Sequence, residues 1–277
     1  MSYQLTTAKV WDGSAWVPAV GGSSPWPTTV DGTVNSVNVT ADASVHTKGA
    51  WTELIASTSA AGNLLLVMVQ NQATNVGTEG LLDIAIGAAG AESIIVANAV
   101  GGQMGLNVNR NRNDLIFPVS IPAGSRIAGR LQNAIASRVA AVGIGIIDTG
   151  VAAPSSLDTI GANTAASRGT NLPSNDTYVE LTASTSQAYQ AIVMAPLGTG
   201  NNVTPTDTTY TLAKGASGSE VELGSARVHH SNVELCTYAF TQLPFIYFGN
   251  VPAGTRLAVK QVDGSVLRDV ILYGVPY

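Results

Sequence analysis

The feature that most limits what this chain can fold into is an internal repeat. Residues 51–59 read WTELIASTS and residues 178–186 read YVELTASTS, with six of nine positions identical at an offset of 127. The apolar run Leu64-Leu65-Leu66-Val67 is followed at the same offset by Ala191-Ile192-Val193-Met194. GAAGAE at 87–92 matches GASGSE at 215–220 at offset 128, and IPAGSRIA at 121–128 matches VPAGTRLA at 251–258 at offset 130. A last match aligns Val142-Gly143-Ile144-Gly145-Ile146 with Ile271-Leu272-Tyr273-Gly274-Val275 at offset 129. Matches in one order with so little drift predict an internal duplication, two units with the same elements and different loops. A chain of 277 residues is long enough for two such units, each with its own core.

Each unit reads as strands. In the first unit they are expected at Val34–Thr40, Trp51–Ser57, Leu64–Gln70, Leu81–Ile86, Ser93–Asn98, Leu115–Ser120, Arg126–Leu131 and Val139–Ile147. These segments are short, rich in Val, Ile and Thr, and separated by Gly, Asn, Ser or Pro. LQNAIASRVA at 131–140 is the best helical stretch, but a hairpin through Asn133 is the preferred reading. The predicted fold is all-β: two tandem antiparallel β-sandwiches, jelly-roll-like, at 31–150 and 151–277. An immunoglobulin-like sandwich is the alternative, without its Cys-Trp-Cys pattern.

Residues 1–30 stand outside the repeat. Val10 to Val17 reads as strand, Asp12-Gly13 turn, strand. With Trp11, Trp16 and Trp26 this segment holds three of the four tryptophans. A lone hairpin is marginal in water, so the segment is expected to anchor on the chain's own sandwich or on a partner subunit.

Charged residues make up only 11% of the chain, against about a quarter in ordinary domains. Such a surface dissolves less readily and fits one covered by neighbouring subunits, so a homo-oligomer is expected. Net charge is −5 and no basic stripe follows a phosphate backbone, which argues against nucleic acid as a partner. No signal peptide is read at Met1-Ser2-Tyr3, and no apolar run is long enough to insert in a bilayer. The single cysteine, Cys236, is expected as a buried small hydrophobe.

Chemistry is sparse. The three histidines, His46, His229 and His230, have no ligand spacing, and there is no nucleophile elbow or phosphate loop. No catalytic residue, metal site or cofactor is predicted. Glu53 and Glu180 are equivalent in the repeat and are expected either as strand residues on a polar face or paired with an arginine of their own unit. Arg126 and Arg256 follow the PAGS and PAGT turns, where each can bond exposed carbonyls or an acidic partner at the start of a strand. The polar run Asn107–Asp114 reads first as a solvated loop, and otherwise as an amide ladder for sugar hydroxyls or subunit contacts; the tyrosines of the second unit, Tyr189, Tyr210, Tyr238, Tyr247 and Tyr273, suit pyranose faces. Tyr210, Asn109 and Asn111 are therefore the candidate glycan contacts.

VWDGSAWVP at 10–18 resembles short Trp-containing repeats in minor tail and fibre proteins of tailed bacteriophages. The IPAGSRIA and VPAGTRLA turns, set in Gly/Ala/Thr-rich β-units, are similar to phage virion proteins as well. The resemblance implies an accessory virion protein: a tail, collar or fibre-associated subunit, or a capsid decoration or head-fibre protein. Its partners would be other virion proteins and host-surface glycans. It would be made in the host cytoplasm and released by lysis. Two other classes compete: a carbohydrate-binding module, and a depolymerase-type hydrolase, which the shortage of titratable groups disfavours.

Overall fold

The structure is a computed structural model that describes residues 9–11, 16–18, 36–71, 80–101, 112–198, 206–230, 245–262 and 268–277. The N-terminal strands β1 (Lys9–Trp11) and β2 (Trp16–Pro18) form an antiparallel pair with Trp11 opposite Trp16. The two strands of the expected strand-turn-strand segment are therefore paired; the Asp12-Gly13 turn and Trp26 lie outside the described residues.

The first sandwich is built from β3 (Val37–Thr40), β4 (Thr52–Ile55), β5 (Leu64–Asn71), β6 (Gly80–Ile86), β7 (Ser93–Gly101), β8 (Arg112–Phe117), β9 (Ile127–Asn133) and β10 (Val139–Ile147). One sheet runs β3-β10-β5-β8 and the other β4-β9-β6-β7, all antiparallel. Counted from the first strand of the unit, this is the 1-8-3-6 and 2-7-4-5 order of a jelly roll. The second sandwich comprises β11 (Asp158–Ile160), β12 (Thr170–Leu172), β13 (Val179–Thr182), β14 (Tyr189–Gly198), β15 (Thr206–Lys214), β16 (Val221–His230), β17 (Phe245–Val251), β18 (Leu257–Val262) and β19 (Arg268–Pro276). Its sheets run β11-β19-β14-β17, with β12 also on β19, and β13-β18-β15-β16. The order is the same, except that the first strand is split by a single 3-10 turn at Thr164–Ala166.

The alternation expected of half-buried strands places the cores. On β5, Leu65, Val67 and Val69 are fully buried, while Leu64, Leu66 and Met68 on the opposite face are half-buried. On β14 and β19 the pattern differs, because both faces are covered. Ile192, Met194, Val270 and Leu272 belong to the core of the second sandwich. Ala191, Val193, Ala195, Ile271, Tyr273 and Val275 belong to the core of the first. Strands buried on both faces read as continuous apolar runs, as AIVMA and VILYGV do.

The structure corrects two sequence expectations. The stretch 131–140 is strand, turn, strand, but not a hairpin: β9 pairs with β4 and β6, and β10 with β3 and β5. The turn after Asn133 carries the chain from one sheet to the other, because the interior strand positions beside β9 and β10 are already taken. The last repeat match is one residue out of phase. Ile144 pairs with Val67 and Leu272 with Met194, both inward, so the structural offset there is 272 − 144 = 128 and not 129. A slip of one residue exchanges the inner and outer faces of a strand, and the Gly-x-Gly pattern hid it.

Candidate functional site

The segments that repeat in sequence meet in space. Arg126 donates from Nε to Glu53 at 2.8 Å, and from Nη1 to Glu92 at 3.1 Å and to the Gly87 carbonyl at 3.2 Å. In the second sandwich Arg256 donates to Glu180 at 2.7 Å, Glu220 at 3.1 Å and the Gly215 carbonyl at 2.9 Å. Both alternatives read from the sequence, a carbonyl and an acidic partner, are thus met by one guanidinium. Its planar fork allows three acceptors at once. Burial pushes the Glu92 carboxyl up, but hydrogen bonds from its own backbone, Arg126 and Gly90 hold it below the usual carboxylate range. Glu220 is lowered by its own backbone N–H against burial, with help from Arg256 and Gly218.

The adjoining turn makes the same bonds in both sandwiches. Thr58 Oγ1 donates to the Pro122 carbonyl at 2.9 Å and accepts from Ser125 N–H at 3.0 Å. Thr185 does the same with Pro252 at 2.8 Å and Thr255 at 3.1 Å. Gly124 and Gly254 sit at φ of 76° and 77°, which explains glycine in both PAG turns. ELxAST, GAxGxE and PAGxR therefore form one clamp holding three loops at one end of each sandwich. Each of its charged side chains bonds within the chain.

A second polar cluster is buried. Asp83, 3% exposed in the middle of β6, accepts from Lys48 at 2.8 Å, Arg130 at 2.9 Å and the Asn98 N–H at 2.9 Å. Arg130 lies 4.5 Å above the Trp51 ring. Burial lowers the Lys48 ammonium to about 8, against the opposing pull of Asp83. In the second sandwich the ladder position of Asp83 is Thr211. Lys260, the counterpart of Arg130, turns instead to Asp176 at 2.8 Å while lying 5.0 Å from the Tyr178 ring.

The seam between the sandwiches is the third polar feature. Tyr273 on β19 packs edge-on against Phe117 on β8, centroids 4.9 Å apart, and donates to the Asn98 carbonyl at 2.9 Å. Complete burial pushes the Tyr273 phenol far up, so it stays a donor. Thr159 Oγ1 donates to the Ala97 carbonyl at 2.5 Å, and Leu157 N–H to the Ile95 carbonyl at 2.9 Å. Gln132 Nε2 reaches the Thr164 carbonyl at 2.7 Å and Ser167 Oγ at 3.1 Å, and His46 Nδ1 is 3.0 Å from the same hydroxyl. The outer face of β14–β19 thereby closes the β7/β8 edge of the first sandwich.

A shallow notch in the second sandwich centres on Asp158, which accepts from Tyr189 Oη and Ser186 Oγ at 2.8 Å and from Gln187 at 2.9 Å. Burial pushes Asp158 up, but the bonds from Gln187, Tyr189 and Ser186 outweigh it and lower its pKa. Burial is also the main reason the Tyr189 phenol rises to about 12. The carboxylate on β11 is satisfied by the 186–189 segment of the same sandwich.

The glycan expectation needs correction at Tyr210. Its side chain is wholly buried in the second core, on the inward face of β15, so its ring has no face for a sugar. Tyr189 and Tyr273 are also fully buried, and Tyr247 is half-buried. Asn109, Asn111, Tyr238 and Cys236 lie outside the described residues. Among the described residues no group of three or more His, Cys, Asp and Glu could hold a metal, and no helix is long and apolar enough to cross a membrane.

Comparison with known proteins gives fold-level neighbours at low similarity. No family model matches the chain, and no curated protein matches it. Among solved structures, the STIV MCP, a viral major capsid protein, aligns at 10% identity and a TM-score of 0.34, over 87% of this chain and 95% of its own. N-glycanase F (PNGase F) aligns at 10% identity and 0.33, over 87% and 96%. The CBM22-1–CBM22-2 tandem domain of Paenibacillus barcinonensis Xyn10C aligns at 10% identity and 0.26, over 86% of each chain.

Proposed function

We propose that the chain is a non-enzymatic structural subunit of a tailed-phage virion, a tail, collar or fibre-associated protein or a decoration protein of the head. In this reading residues 1–30 are the anchor, and 31–150 and 151–277 are the two sandwiches. The observation that carries it is the use of the converging charges. Arg126 with Glu53 and Glu92, Arg256 with Glu180 and Glu220, and Asp83 with Lys48 and Arg130 each bind one another and the backbone. A general acid or base needs a group poised toward an incoming substrate, whereas these hold loops and strands in place. The low charge of the chain and the Trp-containing segment at 10–18 support the same reading.

The test is immunogold labelling of intact particles from the source with antibody to the purified chain. Regular label over the head places a decoration or head-fibre protein, and label at the neck or tail places a collar or tail component. Particles without label would remove the virion reading.

A further inference from the structure

The two sandwiches use the same ladder positions but do not have the same cover. At the β7/β8 edge of the first, Ile95, Val96, Leu115 and Phe117 are at most 4% exposed. They are dry because the outer face of β14–β19 lies against them. The matching edge of the second sandwich is β16/β17, where among the described residues β16 pairs only with β15 and β17 only with β14. There Leu223, Gly224, Phe245 and Tyr247 occupy the equivalent positions and are only partly buried, although Leu223, Phe245 and Tyr247 pack against the second core. Phe248, next on β17 but on its outer face beside Ala191, is 77% exposed.

The other half of that interface also has an uncovered counterpart. In the second sandwich the outer face of β14 carries Ala191, Val193 and Ala195, each at most 3% exposed under the first. The same positions on β5 are Leu64, Leu66 and Met68, with Ile116 beside them on β8, and all four are half-exposed. Gly143 and Gly145 opposite them on β10 keep this face flat, and Leu66 lies over Gly145. One chain thus uses one edge and one sheet face in its own seam, and leaves one apolar edge and one apolar face of the same kinds without cover among the described residues.

We propose that a second copy of this chain supplies the missing cover, its β16/β17 edge seating on the outer β10-β5-β8 face of the first in the manner of the intrachain seam. The two surfaces differ, so the contact is heterologous and must propagate until it closes into a ring or continues as a fibre. The proposal makes specific the homo-oligomer expected from the low charge of the sequence. It is tested on purified protein, where the outcome is independent of whether any particle carries the chain.

Sedimentation velocity of three samples decides it. Wild-type protein is expected as species of three or more copies. Leu66→Lys blocks the face and Tyr247→Lys blocks the edge, both at partly exposed positions, and each variant alone is expected to sediment as a monomer. Mixed in equal amounts, the intact edge of the first variant meets the intact face of the second and gives a 1:1 dimer that grows no further. That dimer also shows that both variants are folded. A wild-type monomer at all concentrations, a wild-type dimer indifferent to both substitutions, or a mixture that stays monomeric would overturn the proposal.

Discussion

Leu115 and Phe117 in the first sandwich, and Phe245 and Tyr247 in the second, stand at the same places in the same strand order, yet one pair is buried and the other half-exposed. The clamps are matched far more closely: Arg126 and Arg256 hold equivalent carboxylates and glycine carbonyls at nearly the same distances. The contrast separates two kinds of constraint. Loop geometry is fixed inside each unit by directional bonds and depends little on surroundings. Exposure of a strand edge depends on what lies against it, and among the described residues only the first sandwich has a neighbour there. The difference at Asp83 and Thr211 follows the same line. Asp83 and its two cations lie beside Asn98, whose carbonyl takes the Tyr273 bond across the seam.

The sharpest break of this comparison is truncation at paired positions. Phe117→Ala should cost about 3–5 kcal/mol, since it empties a packed site between both cores. Tyr247→Ala should cost only about 1–2 kcal/mol, because its ring is already partly in water. Urea unfolding midpoints decide this, and equal losses would mean that the two edges are equally covered.

Asp83→Ala strands two cations and a backbone N–H in a buried site, with an expected loss of about 3–5 kcal/mol. No single change at Thr211 should approach it, and comparable melting losses at 83 and 211 would remove the asymmetry. In the clamps the opposite holds. Thr58→Val and Thr185→Val should each cost about 1–3 kcal/mol, and should agree within about 0.5 kcal/mol. Arg126→Ala and Arg256→Ala should likewise lower the melting temperature equally.

The smallest effect is with pH. Asp158, Glu92 and Glu220 have folded pKa values below their ordinary values of 3.8, 4.5 and 4.5. The unfolded chain therefore binds protons first as pH falls. Their contribution is whole above about pH 5 and is lost progressively as pH drops through the folded values. Glu92→Gln together with Glu220→Gln should flatten this acid limb of the stability curve, and an unchanged limb would assign it elsewhere.

The fold class was legible because strand and turn signals are local. Short Val/Ile/Thr runs between Gly and Pro located every strand of the first unit to within a few residues. The clamp was half legible: Arg126, Glu53 and Glu92 each lay in a repeated segment, and only their convergence needed the structure. The seam was not legible. Val193 and Tyr273 face a neighbouring core, and nothing in a run such as AIVMA says which core each face meets. For the same reason Tyr210 read as a surface ring; a tyrosine on a strand looks alike inward and outward. The Gly143–Gly145 alternation misled by one residue because glycine has no face to reveal.

The most direct test of the central claim, one sandwich twice with unequal cover, is hydrogen exchange on dilute wild-type protein under native conditions. The account predicts that β14 and β19, buried on both faces, are the slowest strands of the second unit. It also predicts that β7 and β8 exchange much more slowly than β16 and β17. Equal exchange at the two edges, or β14 exchanging as fast as β17, would contradict it.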